Sequence, residues 1–506
     1  MKIEIDRESV TPVYLQISGR IRDMILSGHL PPGGKLPPER KLADSLGVNR
    51  STVLNAYREL KSNGYADSRV GHGTVVLGGP PDRADAPVRE EPLPMPWEQL
   101  FSGSMARTQD TTVKDLLKQT PGRDMILFAA GVSAQRLDSL EELQQVQQEA
   151  VREYGHTAVS HMPTEGYYPL RESISSLMEV RGIHAHPSEV MALTGSQQGL
   201  DLAARVFLDP GDVVFVEEPT FFCALQIFKT AGARVIGVPT DRDGIRTDLL
   251  PSMLERFKPK LLYTIPDFQN PTGMVMSLER RRQLLSLAYR HQTVLLEDDP
   301  YGRLRYEGGD VPPLKALDRH GYVIYLSTFS KLMFPGFRVG WMTAPAPVLN
   351  RFTMLKQNSD LHTASLTQLI FEKYMRKGLL EAQIQRVTAE NAARRDIMLD
   401  ELEKTAARGM YWNRPEGGLY LWCRIPDGIS QTALLAKAAE YGVAFVPGAA
   451  FYPNGPTGNY IRLNYTYPSP EQIREGVGRL VRAVKHVSPD LKHAAGGEEF
   501  DLRSLV

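Results

Sequence analysis

The sequence predicts an α/β protein of at least two domains, the larger built on a doubly wound, largely parallel sheet with a smaller α+β subdomain. The chain has 506 residues, more than the roughly 250–300 that one hydrophobic core supports. From about Pro187 to Trp341, short β-branched runs alternate with helical patterns, as in doubly wound sheets. A proline-dense stretch after Gly78 separates an N-terminal domain from this region.

The composition indicates a globular, intracellular protein. With 42% apolar and 23% charged residues, the chain is neither wholly disordered nor collagen-like. The start, MKIEIDRE, alternates charged and apolar residues where a signal peptide is apolar, and no apolar run approaches the roughly 18 residues of a membrane span. We therefore expect a cytoplasmic protein. Cys223 and Cys423 are far apart and outside any CxxC spacing, which predicts two buried thiols, no disulfide and no metal site.

The charge is unevenly distributed. The whole chain carries 59 basic and 59 acidic residues, which alone argues against a nucleic-acid-binding protein. Between Pro12 and Gly78, however, there are nine Lys and Arg residues and five Asp and Glu residues, a local excess of four positive charges. This segment is the candidate for DNA binding.

Apolar spacing in the N-terminal segment predicts a helix-turn-helix. Three helices are expected, Pro12–Ser27, Glu39–Leu46 and Arg50–Asn63, with Gly47-Val48-Asn49 as the turn between the second and third. The inward-facing positions are Val13, Ile17, Ile21, Ile25, Leu42, Leu46, Val53, Tyr57 and Leu60. The third helix would then turn Ser51, Asn55 and Arg58 outward, with Arg50 and Thr52 at its N-terminal end.

A β-hairpin wing is expected after the third helix. The run Tyr65–Leu77 has two β-like halves around Val70-Gly71-His72-Gly73. Arg50 is suited to a guanine or a phosphate, and His72 to the DNA backbone or the minor groove. The same pattern taken alone also fits a small helical bundle with solvated charges.

The whole N-terminal block resembles the winged-helix domain of the GntR family of bacterial transcription regulators. The motifs that carry the resemblance are LPPERKLA, GVNRSTV and the GHGT of the wing. It implies that the domain binds a double-stranded DNA operator. The residues that it implies as DNA contacts are Arg40, Arg50, Ser51, Thr52, His72 and Gly73.

Four segments are expected along the chain: a DNA-binding domain at 10–78, a proline-rich linker and lead-in at 79–120, the large domain at 121–487, and a C-terminal tail at 488–506 to which we assign no function. The linker begins GPPDRADAPVREEPLPMP (Gly79–Pro96). In extended polyproline geometry, at about 3.1 Å per residue, this stretch spans roughly 55 Å as a semi-rigid spacer.

The large domain is predicted element by element. The expected strands are Glu189–Leu193, Val213–Glu217, Arg234–Val238, Leu261–Thr264, Thr293–Glu297 and Val323–Ser327, and the expected helices begin at Gln197, Phe221, Thr247 and Leu278. After about Ala382 a long polar helix precedes the strand-like segments LYLWCRI (Leu419–Ile425) and IRLNYTY (Ile461–Tyr467), which predict the smaller subdomain.

Four motifs follow one another in the large domain: DFQNPTG (Asp267–Gly273), LLEDDPYGRL (Leu295–Leu304), STFSKLMFPGFRVGW (Ser327–Trp341) and NYIRLNY (Asn459–Tyr465). Each has an ordinary structural explanation on its own. Together, in this order on an α/β pattern, they resemble fold-type I aminotransferases from about Pro121 to about Val487. That resemblance implies a doubly wound mixed sheet and pyridoxal 5'-phosphate as the cofactor.

The resemblance also implies a role for each motif residue. Lys331 would hold the cofactor as a Schiff base, and Asp298 would keep its ring nitrogen protonated as an electron sink. Asn270 and Tyr301 would hydrogen-bond the ring 3-oxygen, and Phe221 would stack on the ring. The phosphate would be met by the helix start at Gly195-Ser196-Gln197 and by Thr328, Ser330 and Arg338. Arg462 matches the arginine that binds a substrate carboxylate, here the carboxylate of an effector.

One departure bears on turnover. His161, in HMPTEG, stands where many aminotransferases place a tyrosine that reaches the cofactor phosphate from the partner subunit. A winged helix joined by a proline-rich linker to such a domain resembles the MocR subgroup of GntR regulators. The first hypothesis is therefore a regulator, expected as a homodimer, that senses pyridoxal phosphate or an amino-acid or amine effector without efficient turnover. The alternatives are a working aminotransferase with a DNA-binding appendage and a cofactor-free dimerisation module.

Overall fold

The computed structural model describes residues 3–7, 9, 11–69, 73–77, 95–107, 125–133, 137–405 and 409–487. The chain divides into two compact units, Met1–Pro96 and Trp97–Val506. Most of the predicted linker and the whole tail 488–506 lie outside the described residues. Within the described ranges, no helix combines the length and apolar character needed to cross a membrane.

The smaller unit contains the predicted helix-turn-helix. Its helices are α1 (Val13–Leu26), α2 (Glu39–Leu46) and α3 (Arg50–Ser62), so the predicted bounds are correct to within one residue. Gly47 ends α2 with a φ of 63°, a left-handed conformation that glycine adopts without steric cost. The predicted inward positions of α3 are buried against Ile17 and Ile21 of α1.

The wing is a two-stranded sheet, and the segment at Lys35 and Leu36 hydrogen-bonds along its second strand. Strand β1 (Ala66–Arg69) pairs antiparallel with β2 (Gly73–Val76). On the other side of β2, the main-chain amide of Leu36 donates to the carbonyl of Thr74 at 2.9 Å, and Lys35 forms a bridge with Val75. The proline- and glycine-rich segment 31–35 makes a turn and then places Lys35 beside the wing.

The larger unit alternates helices and strands. Its helices are α4 (Trp97–Leu100), α5 (Gly103–Ala106), α6 (Leu137–Tyr154), α7 (Tyr168–Glu179), α8 (Ser196–Phe207), α9 (Phe222–Thr230), α10 (Leu250–Phe257), α11 (Leu278–His291), α12 (Leu314–Leu317), α13 (Ala346–Asp360), α14 (Ser365–Arg376), α15 (Leu379–Lys404), α16 (Gln431–Glu440) and α17 (Pro470–Val487). Its strands are β3 (Ile126–Leu127), β4 (Val190–Leu193), β5 (Val213–Glu218), β6 (Arg234–Asp241), β7 (Gly244–Ile245), β8 (Leu261–Thr264), β9 (Val294–Asp298), β10 (Val323–Thr328), β11 (Gly340–Thr343), β12 (Tyr411–Trp412), β13 (Tyr420–Arg424), β14 (Val443–Ala444), β15 (Val446–Pro447) and β16 (Tyr460–Asn464).

The main sheet has the order β4-β11-β10-β9-β8-β5-β6-β7 among the described residues. Strands β10, β9, β8, β5 and β6 run parallel, as predicted. Strand β11 was not predicted, and it is antiparallel to both β10 and β4. The connection 329–339 is too short for the helical crossover that a parallel strand requires, so the chain returns in the opposite direction. The sheet is therefore mixed.

The smaller subdomain is α+β, as predicted. Its antiparallel sheet has the order β12-β13-β16-β15, and β13 and β16 pair from Tyr420↔Asn464 to Arg424↔Tyr460. Helix α17 packs Ile473 and Val477 against the buried face of these strands. The register places Arg462 of β16 opposite Trp422, on the central pair of the sheet.

Candidate functional site

A cavity of about 270 Å³ lies at the carboxyl ends of the central parallel strands of the main sheet, the usual ligand position in doubly wound folds. Every residue predicted for the cofactor or the effector lines it: Ser196, Gln197, Phe221, Asn270, Asp298, Tyr301, Thr328, Ser330, Lys331, Arg338 and Arg462. Residues from distant parts of the sequence therefore share one space.

Lys331 and Asp298 come from neighbouring strands. Lys331 ends a 3₁₀ turn that follows β10, and its Nζ donates a 2.7 Å hydrogen bond to the carbonyl of Gly131. Burial lowers the pKa of this lysine, which Arg462 and Arg338 lower further. A lysine with a lowered pKa is more often the neutral amine that attacks a carbonyl carbon. Asp298 is the last residue of β9, and burial raises its pKa to about 7.

Only one of the two carboxylate oxygens of Asp298 accepts a hydrogen bond among the described residues. The hydroxyl of Tyr263 donates to Oδ2 at 2.9 Å, which favours the ionised form. Oδ1 is buried and has no hydrogen-bond partner among the described residues. Since buried acceptors are normally satisfied, this oxygen fits a ligand that brings an N–H donor, such as a protonated ring nitrogen.

Asn270, Tyr301 and Arg462 form a connected wall. The Asn270 amide donates to the Tyr301 hydroxyl at 3.3 Å, and Nη1 of Arg462 donates to Oδ1 of Asn270 at 3.0 Å. The Arg462 guanidinium lies 4.1 Å from the ring centroid of Tyr420 and 5.3 Å from that of Phe451. Its Nη2 donates to the Ala129 carbonyl at 3.2 Å. This arginine is held rigidly by rings and acceptors around it.

Another part of the cavity lining contains donors suited to a phosphate. Gly195, with a φ of 86°, precedes the first turn of α8, and a Cβ there would collide with the Arg338 guanidinium. Nη1 of Arg338 donates to Ser330 Oγ at 3.1 Å, and the Thr328 hydroxyl donates to the same oxygen at 3.0 Å. A helix N-terminus, two hydroxyls and a guanidinium converge here, which is a typical anion site.

Several cavity residues were not predicted from the sequence. Among them are Tyr420, Phe222 and Val446, with Tyr263 behind Asp298. Tyr263 had a usable signal, because it lies in the strand LLYT, beside the strand that ends in Asp298.

The two cysteines differ in burial. Cys223 lines the cavity and was expected to be a buried thiol, but it is only partly buried, whereas Cys423 is buried as predicted. The helix that begins at Phe222 turns Cys223 toward the cavity, which leaves part of its surface open. Burial of the remainder raises the pKa of Cys223 to about 11, so its thiol is protonated at neutral pH.

His161 is not among the residues that line this cavity. Its side chain is exposed, and its Nδ1 is 3.2 Å from Nε2 of His362. The two rings are perpendicular, with centroids 5.4 Å apart. His362 Nδ1 also donates to the Thr363 carbonyl at 2.9 Å, which fixes Nε2 as the acceptor for His161 when both rings are neutral.

On the winged-helix unit, part of the predicted DNA-contact set lines one groove. Arg40, Arg50 and Gly73 line a groove of about 580 Å³ together with Lys35 and Thr74, which were not predicted as contacts. Arg50 Nη2 lies 3.1 Å from Oε2 of Glu39, and its side chain remains 71% exposed. Glu39 thus orients the arginine while leaving it open to solvent.

The remaining predicted contacts are placed differently. Ser51 is exposed and Thr52 is partly buried in the first turn of α3, and neither lines the groove. His72 lies outside the described residues.

Comparisons with known proteins agree with both units. The family model for class I and II aminotransferases matches residues 123–480, and that for bacterial regulatory proteins of the gntR family matches residues 13–76. The aromatic-amino-acid aminotransferase 1 of Thermococcus litoralis is 39% identical over 77% of this chain and 95% of its own length. The probable rhizopine catabolism regulatory protein MocR of Rhizobium meliloti is 30% identical over 94% of both chains.

A solved structure extends the comparison to the fold. The alpha-aminoadipate aminotransferase LysN of Thermus thermophilus, complexed with N-(5'-phosphopyridoxyl)-L-leucine, matches with a TM-score of 0.73 and 37% identity. The match covers 78% of this chain and 100% of that one. The two aminotransferases cover 77% and 78% of this chain, whereas the regulator covers 94% of it. The chain therefore belongs to the class I and II aminotransferase family by its large domain and, with its gntR-type helix-turn-helix, to the MocR subgroup of transcription regulators.

Proposed function

We propose that this regulator holds pyridoxal 5'-phosphate in the large domain and senses the cofactor, or an amino-acid or amine effector, to change its affinity for an operator. The observation that carries the proposal is the unpartnered Oδ1 of Asp298, within the described residues, in the same cavity as Lys331. A buried carboxylate oxygen opposite a lysine of lowered pKa suits a cofactor with a basic ring nitrogen and an aldehyde.

Each residue has a defined task in this proposal. The bound cofactor would supply an aldehyde for amines and an electron-withdrawing ring. Lys331 would hold it covalently, Asp298 would keep a proton on the ring nitrogen, and Asn270 and Tyr301 would donate to the ring oxygen. Phe221 would cover the ring face. The phosphate would be held by Ser196, Gln197, Thr328, Ser330 and Arg338.

Arg462 is the candidate for the effector carboxylate. Of its five N–H donors, three have acceptors in Asn270, Ala129 and Ala130. Its Nε is buried and has no acceptor in the described part of the chain. The donors left over, on a guanidinium clamped by Tyr420, suit a carboxylate better than a neutral group.

A working aminotransferase with an appended DNA-binding domain is the alternative, and the complete set of cavity residues favours it. The exposed His161, in place of a tyrosine, supports slow turnover instead.

We further propose domains at 10–78 and 121–487, a homodimer, and DNA contacts from Arg40, Arg50, Ser51, Thr52, His72 and Gly73. A two-fold dimer would match paired operator half-sites.

The experiment is footprinting upstream of the protein's own gene and its neighbours, with and without pyridoxal phosphate. A protected site whose occupancy changes with the cofactor is the expected result. A protein that binds no DNA, or whose DNA binding is unchanged by the cofactor and by every amine tested, would contradict the proposal. Absorbance spectra of the same preparations would report cofactor binding independently.

A further inference from the structure

A buried lysine lies near the end of α13. Lys356 is fully buried, and its Nζ lies 2.8 Å from Oδ1 and 2.9 Å from Oδ2 of Asp360, the last residue of the helix. Burial lowers the pKa of Lys356, whereas the bond to Asp360 favours its charged form. The Asp360 side chain is 28% exposed, so only the lysine is fully desolvated, and an ion pair of this kind adds little net stability.

The pair binds both ends of one short turn. Oδ2 of Asp360 accepts from the Thr194 hydroxyl at 3.1 Å and from Nε2 of Gln198 at 2.7 Å. Lys356 Nζ donates to Oε1 of Gln198 at 3.3 Å, and the same oxygen accepts from the Thr194 main-chain amide at 2.8 Å. The turn between β4 and α8 is therefore tied at 194 and at 198.

Between these two ties lie the residues that face the cavity. Ser196 and Gln197 line the cavity, whereas Thr194, Gln198, Lys356 and Asp360 are not among its lining residues. Gly195 joins the two sets, and the Arg338 guanidinium beside it donates weakly to the Thr194 carbonyl at 3.5 Å. The ion pair is thus placed behind the turn and acts through it.

Anion binding at a helix start depends on the direction of the main-chain amides. A turn that is fixed before binding loses less conformational entropy when the anion arrives. Three hydrogen bonds to two side chains at the end of α13 hold this turn at residues on either side of Gly195. Removal of these hydrogen bonds would loosen the main-chain amides of the turn. It would leave Lys331 and Asp298 unchanged.

We propose that Lys356 and Asp360 are positioning residues that hold the β4–α8 turn in shape for a phosphate group. This inference rests on the proposed cofactor function, since it concerns the phosphate of the same ligand. It makes a distinction that a general stabilising role does not make. The pair should matter for pyridoxal 5'-phosphate and not for pyridoxal, which has the same ring and aldehyde but no phosphate.

The test measures dissociation constants of both compounds for the full-length protein, Lys356→Met and Asp360→Ala, by absorbance titration. Each variant should bind pyridoxal 5'-phosphate about tenfold more weakly, the loss expected for roughly one hydrogen bond to a charged group. The affinity for pyridoxal should change by less than about twofold. Asp360→Asn keeps the side-chain shape and carries the test if the larger changes prevent folding.

Lys373→Met is the matched control. Lys373 is also a buried lysine, paired with Glu153 and Glu149 of α6, and it does not touch the turn. Its substitution should leave both affinities unchanged. Equal losses for the two compounds in Lys356→Met and Asp360→Ala, or no loss for either, would overturn the positioning role. Absence of cofactor binding by the unmodified protein would instead refute the proposed function, and this inference with it.

Discussion

The hydroxyl of Tyr263 donates a 2.9 Å hydrogen bond to Oδ2 of Asp298 and leaves Oδ1 of the same carboxylate without a partner among the described residues. Both side chains are buried, so this bond is made in a medium of low polarity. It opposes the desolvation that raises the pKa of Asp298 to about 7. The tyrosine therefore helps to keep the carboxylate ionised for a ring nitrogen.

Tyr263→Phe should raise the pKa of Asp298 further, by about one unit, because a hydrogen bond to the ionised form is lost. NMR of labelled aspartate in the cofactor-free protein would measure this pKa. Tyr325→Phe is a matched control, since that hydroxyl donates at 2.8 Å to Asp299, the next carboxylate along the chain. An unchanged pKa of Asp298 in Tyr263→Phe would show that the bond does not support the ionised form.

The unmodified protein should be yellow and hold pyridoxal phosphate covalently, whereas Lys331→Ala should bind it only noncovalently. The reason is that Lys331 lines the same cavity as Asp298 and Arg338. Borohydride reduction of the unmodified protein with its cofactor, followed by peptide mapping, would locate the lysine to which the cofactor is attached. Label on another lysine, or on none, would refute the assignment.

The buried Glu297 predicts a pH dependence of stability. Burial raises its pKa from 4.5 to about 7 although it accepts from the main-chain amides of Leu314 and Lys315 at 2.8 Å. The native state then holds one more proton than the unfolded chain between these values, so the contribution of Glu297 is fully present below pH 4.5 and is lost as the pH rises through about 7.

Glu297→Gln cannot titrate, so its free energy of unfolding relative to the unmodified protein should rise across that window, by up to about 1.4 kcal/mol per pH unit. Thermal unfolding of the cofactor-free proteins across this pH range would measure the trend. The slope is the test, because the amide also changes the bonds to Leu314 and Lys315 at every pH. A difference that is constant with pH would contradict the raised pKa.

Much of the fold could be predicted because hydrophobic spacing alone specifies it. The helix Glu39–Leu46, the strand Leu261–Thr264 and the start of the helix at Leu278 were correct to the residue. The strand Gly340–Thr343 was missed altogether, because four apolar and small residues have no period that separates a short buried strand from a loop.

Most of the site was predictable because motifs or a strand-to-helix junction carried it. Lys331, Asp298 and Asn270 lie in recognisable segments, but Tyr420 and the Lys356–Asp360 pair do not. The roles of the latter depend on tertiary neighbours: Lys356 and Gln198 are 158 positions apart in the sequence. No local pattern records such a contact, and a lysine in a polar helix is ordinarily a solvated residue.

Arg50→Ala should weaken binding to the operator by about 1–3 kcal/mol, the cost of one lost guanine pairing, and leave the cofactor spectrum unchanged. Arg22→Ala is the control, because that arginine is an exposed residue of α1 paired with Asp23 at 3.3 Å and does not line the groove. Gel-shift titration at fixed salt would compare the two. Equal operator affinities of Arg50→Ala and Arg22→Ala would show that Arg50 does not contact the DNA bases.

Arg462 is placed to link effector binding to the regulatory response. An amine effector that displaces Lys331 would change the charge at that lysine and place its carboxylate beside Arg462, whose buried Nε has no acceptor within the described residues. Only a ligand that binds two conformations with different affinity can shift DNA binding, and a coupling of about 1–3 kcal/mol is enough for regulation. Arg462→Ala should therefore lose the response to amino acids and retain the response to pyridoxal phosphate.

The decisive measurement is operator affinity of the unmodified protein and Arg462→Ala across a panel of amino acids and amines, with product formation followed in parallel. A response that depends on Arg462, with slow turnover, agrees with a sensor, because a sensor gains nothing by consuming its signal. Amines without a carboxylate separate the carboxylate contact from amine exchange at Lys331. Rapid transamination of one amino acid, with DNA affinity unmoved by any amine or by the cofactor, would favour the tethered enzyme.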